Sequence, residues 1–430
     1  LGDVYKRQII RGLIGDMIGP NSPMPIMDLR NGKDELQFLK RNDLEELSTR
    51  GTASPDHVIR IKGRPLILKE SVWSRGREAI KEELDKYAKE YKAMFERQAP
   101  KADQPKTMLP TDPKNIWMEG IGLIGLGANA KAASIAGDLV VQNARVRAIG
   151  EDAGGFRPIS EKDLFDCEYW SLEQAKLGKG APPKFQGKIV MITGGSGTIG
   201  FAIAKAFSKL GAQTILVDKD EIALKESVAK LGVGHKYFPI DVTHSDAANQ
   251  AMLAAINNFG GLDILISNAG AAHAGPMLGI SNEELRNAFE LNFFSHYSFS
   301  TEAAKILKDQ NRGGQILFNI SKQAVNPGKN FGAYGLPKAT TFFLMRQLAL
   351  ELGSDGIRVN GINADRIRSG LLTDDFISSR AKSRGVSESE YMAGNLLNKE
   401  VTAEHVADAF TALACAESTT GHVMTVDGGN

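Results

Sequence analysis

The chain has 430 residues, enough at roughly 100 to 200 residues per domain for two or three domains with a sizeable core. Its 52 Lys plus Arg against 51 Asp plus Glu leave a formal charge of +1, so no global field exists to hold nucleic acid or an anionic membrane surface. No apolar run approaches the about 18 residues of a membrane helix, and Cys167 and Cys415 form no CxxC pair, which excludes a transmembrane protein, a disulfide framework and a cysteine zinc site.

The run Asp3 to Gln8 resembles the translation of a sequencing adaptor, so residues 1–8 are set aside from fold reasoning and the natural protein is expected to extend upstream. Ile9 to Pro20 carries Arg11 and Asp16 in a short apolar run without a small-residue cleavage site, which is no secretory signal. The expected compartment is the reducing cytoplasm. From Glu70 to Gln98, Ile80, Leu84, Tyr87, Tyr91 and Met94 recur at helical spacing and predict one long amphipathic helix. Ala99 to Pro113, rich in Pro, Lys and Asp, reads as a loop or linker between two units. Beyond it, 121–127 reads as a buried strand and 129–149 as an alanine-rich helix. Gly178 to Gly187 reads as a hinge.

Seven strands then alternate with helical patterns, at 189–192, 214–217, 236–240, 264–267, 315–320, 358–362 and 423–426. That alternation predicts an α/β fold with a doubly wound parallel sheet. The expected division is a region over 9–180 and a larger domain over 181–430.

Directly after the first of these strands comes Gly194-Gly195-Ser196-Gly197-Thr198-Ile199-Gly200, in which Gly195, Gly197 and Gly200 satisfy G-x-G-x-x-G. Glycines there permit a tight turn and close backbone approach, and the following helix N-terminus aims free N–H groups at a pyrophosphate. Asp218 ends the next strand, eighteen positions past Gly200, where a carboxylate accepts ribose hydroxyls and repels a 2′-phosphate. NAD is therefore expected over NADP.

Tyr334 and Lys338 stand four apart, one above the other on a helix face, where an ammonium stabilises phenolate. A tyrosine with a pKa of about 10 is a poor base at neutral pH without such a cation. Ser321 lies thirteen residues before Tyr334 at a strand end, positioned to donate to a substrate oxygen, and Asn292 sits in an upstream helix.

At this point the chain, over about Lys184 to Asn430, resembles the short-chain dehydrogenase/reductase family. Asn292, Ser321, Tyr334 and Lys338 match the family's catalytic tetrad. Thr193 through Gly200 resembles its cofactor loop, with Thr198 where many members have the middle glycine. Asp241-Val242 resembles the adenine-contacting pair, and Asn268-Ala269-Gly270 lies in a segment like the one that braces the sheet beside the cofactor. Where the family has Pro-Gly after the sixth strand, this chain reads Asn363 to Ser369, within which Ile367 corresponds to the nicotinamide-carboxamide contact. The resemblance implies a seven-stranded Rossmann domain, NAD as cofactor, and hydride exchange between nicotinamide C4 and a carbinol or carbonyl carbon. Tyr334 would be the general acid/base, Ser321 would polarise the substrate oxygen, Lys338 would lower the tyrosine pKa and bind the nicotinamide ribose, and Asn292 would anchor a proton relay.

Lys322, Lys329, Arg366 and Arg368 surround the expected substrate side, and His273 follows the Asn268-Ala269-Gly270 segment. Some of these cations are candidates to receive a small polyhydroxylated, phosphorylated or carboxylated substrate; ordinary solvated loop charge is the alternative.

Gly51 to Arg60 and the amphipathic helix after it resemble the end of a class II aldolase/adducin domain. The order of the two halves is similar to the bifunctional rhamnulose-1-phosphate aldolase/short-chain alcohol dehydrogenase family. That resemblance implies that His57 is the last of three zinc-binding histidines, the others being an upstream His-x-His. Of the seven histidines only His57 precedes the dehydrogenase half, and one ligand makes no catalytic zinc site. The expectation is a truncated aldolase-like remnant, inactive in this chain, with zinc only if the missing part were restored. The expected function is oxidation or reduction of lactaldehyde in deoxy-sugar catabolism. A sugar-alcohol-phosphate dehydrogenase and a non-catalytic NAD-binding scaffold are the alternatives. The expected partners are a small-molecule substrate and one or three further copies of the chain, through packed helices around 340–352, with no nucleic acid and no membrane.

Overall fold

The apolar run at 121–127 and the alanine-rich stretch after it fold as one motif. β4 (Gly122–Gly127) packs closely against the long helix Ala130–Asp152. A Cβ on Gly125 would stand 2.2 Å from the Gly137 amide, and one on Gly127 2.2 Å from the Ala133 amide. The glycines of the strand and the small residues of the helix thus exist for each other, because neither backbone has room for a larger neighbour. Asn129 caps the helix, accepting from the Ala132 amide at 2.9 Å.

The computed structural model describes residues 6–175, 181–272, 274–370 and 372–430. The chain divides into two units, Leu1–Gly187 with Ile256–Gly261, and Lys188–Ala255 with Leu262–Asn430. In the first unit, β1 (Ile26–Arg30), β2 (Leu66–Leu68), β3 (Asn115–Met118) and β4 form one sheet in the order β1-β4-β3-β2. β1 and β3 run antiparallel to β4, and β2 runs parallel to β3. Helices α1 (Arg7–Ile18), α2 (Pro55–Ile61), α3 (Arg77–Gln98), α4 (Ala130–Asp152) and α5 (Glu161–Glu168) accompany it. Arg7 and Gln8, set aside above, are buried in the first turn of α1. The helix expected from residue 70 is broken: Gly76, at φ +95°, separates a short turn Glu70–Trp73 from α3. Ile80, Leu84 and Tyr87 of α3 join one core with Ile10, Leu68 and Ile124. The stretch 99–113 packs within this unit, where the Leu109 amide donates to Tyr169 Oη at 3.1 Å.

The second unit is a seven-stranded sheet of β5 (Ile189–Thr193), β6 (Gln213–Asp218), β7 (Lys236–Pro239), β8 (Ile264–Ser267), β9 (Gly314–Asn319), β10 (Ile357–Ala364) and β11 (Val423–Val426). Its order is β7-β6-β5-β8-β9-β10-β11 and every pairing is parallel. Order reverses between β5 and β8, and the carboxyl ends of strands at such a switch point form a ligand crevice. β5 is buried along its whole length, as a central parallel strand should be. β7, at the edge, is partly exposed and ends at Pro239, which an edge strand tolerates. The helices are α6 (Thr198–Lys209), α7 (Glu221–Leu231), α8 (Ala247–Phe259, of which Ile256 onward falls in the first unit), α9 (Asn282–Phe289), α10 (Ser295–Gln310), α11 (Gly332–Leu352), α12 (Asp374–Arg384), α13 (Glu388–Met392) and α14 (Ala403–Cys415). A π-helical turn, Glu290–Phe294, joins α9 to α10. The hinge residues 178–180 and His273 lie outside the described residues.

Candidate active site

A cavity of about 740 Å³ lies over the carboxyl ends of the strands in the second unit. The β5–α6 turn lines one end of it. Gly194 takes φ +64°, the Gly195 amide donates to Val217 O at 3.1 Å, and α6 starts at Thr198. A Cβ on Gly200 would fall 2.1 Å from Gly194 O, and one on Gly195 2.9 Å from Ile192 O, both backbone atoms of the turn and its strand. Such a cradle leaves amides and open space at a helix N-terminus, which fits a pyrophosphate. Gly194, Gly197, Thr198, Ile199 and Gly200 line the cavity; Thr193, Gly195 and Ser196 do not.

Thr193 has a different place from the one expected. It is 2% exposed, and its Oγ1 accepts from the Asn268 and Ala269 amides at 2.9 and 3.0 Å. Its carbonyl accepts from Asn268 Nδ2 at 2.9 Å, and Asn268 Oδ1 accepts from Asn319 Nδ2 at 2.9 Å. Thr193 therefore latches β5 to β8 behind the cavity wall that Asn268, Ala269 and Gly270 form.

Asp218 stands at the end of β6 on the cavity rim. Its Oδ2 accepts from the Ser196 amide at 3.3 Å and its Oδ1 from the Lys219 amide at 2.8 Å, so the carboxylate is oriented by backbone. Asp241 and Val242 line the same end. Thr243 donates to Asp241 through its amide, at 3.0 Å, and its hydroxyl, at 2.7 Å, and these bonds hold the carboxyl below its usual pKa.

At the other end, Ser321 follows β9 and accepts from the Gln323 amide at 3.2 Å. Tyr334, in the first turn of α11, is hydrogen-bonded to Ser321; burial pushes its phenol up to about 12 and that bond pulls it back. Lys338 stands one turn later, its Nζ 5.8 Å from the Tyr334 ring centre and 3.0 Å from the Asn319 carbonyl. Burial pulls its ammonium down to about 7. Asn292 sits in the π-helical turn, fully buried and outside the cavity lining. Its Nδ2 donates to Ala271 O and Ala288 O at 2.9 and 3.1 Å, and among the described residues its Oδ1 has no partner. A Cβ on Gly270 would come within 2.9 Å of that Oδ1, so Gly270 is required small there.

The expected substrate cations separate. Lys322 lines the cavity but faces Asp365 and Asp427 at 3.9 and 3.7 Å. Arg366, at φ +52°, spends its guanidinium on Tyr391 O at 2.8 Å and lies 4.9 Å over the Tyr391 ring. Arg368 is outside the lining, held at 2.7 Å by both Asp374 and Glu400, so it fastens the start of α12 instead of facing substrate. Ile367 and Lys329 line the cavity. Two lining cations were not expected from sequence: Arg380, whose guanidinium lies 5.4 Å from both the Phe331 and Phe376 ring centres, and Arg384. Among the described residues Arg380 shows no carboxylate partner. No motif marks it; only its place on α12, opposite Phe331 three residues before Tyr334, brings it in.

In the first unit, His57 is 5% exposed, with Nδ1 2.7 Å from Ser54 Oγ and Nε2 bonded to Gln142 Oε1. Burial holds its imidazole below the usual range against the Gln142 bond. Both ring nitrogens are engaged, and among the described residues no group of three His, Cys, Asp or Glu could hold a metal ion. These residues do not fit a zinc site.

The family described as enoyl-(acyl carrier protein) reductase matches residues 195–430, more than half of the chain. The family described as aldolase class II, second domain, matches residues 5–177. The uncharacterized oxidoreductase YuxG of Bacillus subtilis (strain 168) is 30% identical over 445 aligned positions, which take in 99% of this chain and 64% of that protein. The chain thus spans less than two thirds of that relative's length. Among solved structures, L-sorbose reductase from Gluconobacter frateurii, complexed with NADPH and L-sorbose, is similar at 27% identity and a TM-score of 0.54, over 58% of this chain and 98% of that one. The 3-ketoacyl-(acyl-carrier-protein) reductase from Brucella melitensis, complexed with NADH, is similar at 25% identity and a TM-score of 0.51, over 56% and 98%.

Proposed function

The chain belongs to the short-chain dehydrogenase/reductase family, with an aldolase-like region before the dehydrogenase domain, and on that premise we propose an NAD-dependent oxidoreductase acting on a small hydroxy or carbonyl compound, foremost lactaldehyde from deoxy-sugar (rhamnose) catabolism. The observation that carries the reading is the grouping of Ser321, Tyr334 and Lys338 at one end of a cavity whose other end is the Gly194–Gly200 turn and Asp218. The nicotinamide nucleotide, held by that turn, Asp218, Asp241 and Val242, supplies the hydride acceptor or donor. Ser321 Oγ donates to the substrate oxygen and holds it beside Tyr334. Tyr334 Oη takes the hydroxyl proton in oxidation and returns it in reduction. Lys338 makes that possible when protonated, because a cation one helical turn away stabilises the phenolate that burial alone disfavours.

NAD is proposed over NADP from Asp218, whose backbone-oriented carboxylate would meet a 2′-phosphate with like charge. The two nucleotide-bound similar structures carry one nicotinamide form each. Lactaldehyde rests on the class II aldolase match ahead of the dehydrogenase half, since an aldolase of that type releases a small hydroxy-aldehyde. A sugar-alcohol phosphate is the second reading, favoured by Arg380, Lys329 and Arg384 on the cavity wall. Nucleotide reduction with each candidate substrate separates the two.

A pair or tetramer of copies is part of the proposal. Phe343 and Leu350 on α11 are 70% and 81% exposed, two turns apart on one helix. Among the described residues no helix is long and apolar enough to cross a membrane. Light scattering on the purified chain reads the assembly directly.

A further inference from the structure

His296 is 1% exposed, in the first turn of α10 and four residues after Asn292. Its Nε2 lies 3.4 Å from Lys338 Nζ, and its Nδ1 lies 2.6 Å from Ser267 Oγ at the end of β8. Among the described residues Lys338 Nζ has two hydrogen-bond partners, this imidazole and the Asn319 carbonyl at 3.0 Å. An ammonium has three donors and no acceptor. The contact is therefore a hydrogen bond only when His296 is neutral, with its proton on Nδ1 and donated to Ser267 Oγ. Burial first, and the Lys338 charge second, hold the imidazole well below the usual histidine range, against a hydrogen bond with the Ala269 backbone. No carboxylate contributes at either group.

We propose that His296 is a positioning residue for Lys338: the neutral ring accepts one N–H of the ammonium and, through Nδ1–H to Ser267, ties it to the end of β8. Two of the three N–H groups are then fixed, by His296 and Asn319, and the third is left for the cavity. The tie also favours the charged form of Lys338, the form on which the proposed role of Tyr334 depends. The inference rests on Lys338 being the functional cation of the oxidoreductase reading, and its test is chosen to give an answer without turnover.

Competitive acetylation of lysines with acetic anhydride across pH, read on the Lys338 peptide by mass spectrometry, reports the titration of this amine in the substrate-free protein. His296→Gln places an amide oxygen where Nε2 stands, while His296→Asn reaches only the Ser267 end. The expected result is a Lys338 midpoint lowered by about one pH unit in His296→Asn and little changed in His296→Gln. In parallel, kcat falls roughly tenfold to a hundredfold in His296→Asn, with KM little changed, and recovers to within about threefold in His296→Gln. An unmoved Lys338 midpoint in His296→Asn, or the same displacement in both variants, overturns the proposal. A wild-type chain that turns over no substrate would count against the oxidoreductase reading alone, since the labelling result still decides His296.

Discussion

Lys338 Nζ donates to the Asn319 carbonyl at 3.0 Å, which fastens the helix bearing Tyr334 to the strand end that precedes Ser321. The tie is between side chain and backbone, so it fixes the cation without using the hydroxyl of Tyr334 or of Ser321. Tyr334→Phe keeps the ring and its packing but removes the proton carrier. Turnover is expected to fall by about a hundredfold to ten-thousandfold, with NAD affinity within about twofold of wild type, as steady-state rates and nucleotide titration would measure.

The buried amine gives stability a pH dependence. Lys338 is held near 7 in the folded protein by burial, against an unfolded value of about 10.4. Between these values the unfolded chain binds the extra proton, so stability of the nucleotide-free protein rises with pH from about 7 to about 10. Tyr334, held up to about 12, retains its proton when folded and reverses the sign above about 10. Urea unfolding at pH 7 and pH 9 should show the rise in wild type and a smaller one in Lys338→Met; equal slopes would remove Lys338 as its source.

Asp218 is expected to set nucleotide choice. Asp218→Ala removes the carboxylate but leaves the turn, whose Ser196 amide then loses one acceptor. The ratio of NADP to NAD affinity should rise by at least about tenfold, or roughly 1.4 kcal/mol, in fluorescence titrations. An unchanged ratio would show that discrimination lies elsewhere.

The cradle itself has no spare room. Gly200→Ala would place a methyl 2.1 Å from Gly194 O, and backbone cannot step aside as a side-chain end can. A loss of about 1–3 kcal/mol in unfolding free energy, with weakened NAD binding, is expected.

Arg380 and Arg368 should behave oppositely. Arg368 is paired with Asp374 and Glu400, so Arg368→Ala should alter stability more than substrate KM. Arg380→Ala should raise KM for a phosphorylated substrate about tenfold or more while leaving a neutral hydroxy-aldehyde within about twofold. Equal effects on both substrates would make Arg380 a packing residue against Phe331 and Phe376.

The seven parallel strands were legible because each is a short apolar run between helical patterns; the glycine turn, Asp218 and Ser321 stand at strand ends where such chemistry belongs, and Tyr334 and Lys338 stand one turn apart on the helix after Ser321. β1, β2 and β3 were not read: they have three to five residues, and β1 alternates too briefly to announce a face. The stretch 99–113 is a loop, as its composition suggests, but it packs within the first unit because distant contacts hold it: the Leu109 amide donates to the Tyr169 hydroxyl and Lys106 Nζ to the Tyr169 carbonyl. Thr193, Arg368 and His296 show the same limit at the site. Each has its role set by a partner 32 to 76 residues away, Glu400, Ala269 or Lys338, which no local pattern encodes.

The most direct test of the central claim is NADH formation from NAD with L-lactaldehyde, run beside sorbitol 6-phosphate, for the chain and its Tyr334→Phe variant. The account predicts nucleotide reduction with one of these substrates that falls by at least about a hundredfold in the variant. Tight NAD binding with no turnover on either, or turnover that Tyr334→Phe leaves intact, would contradict it.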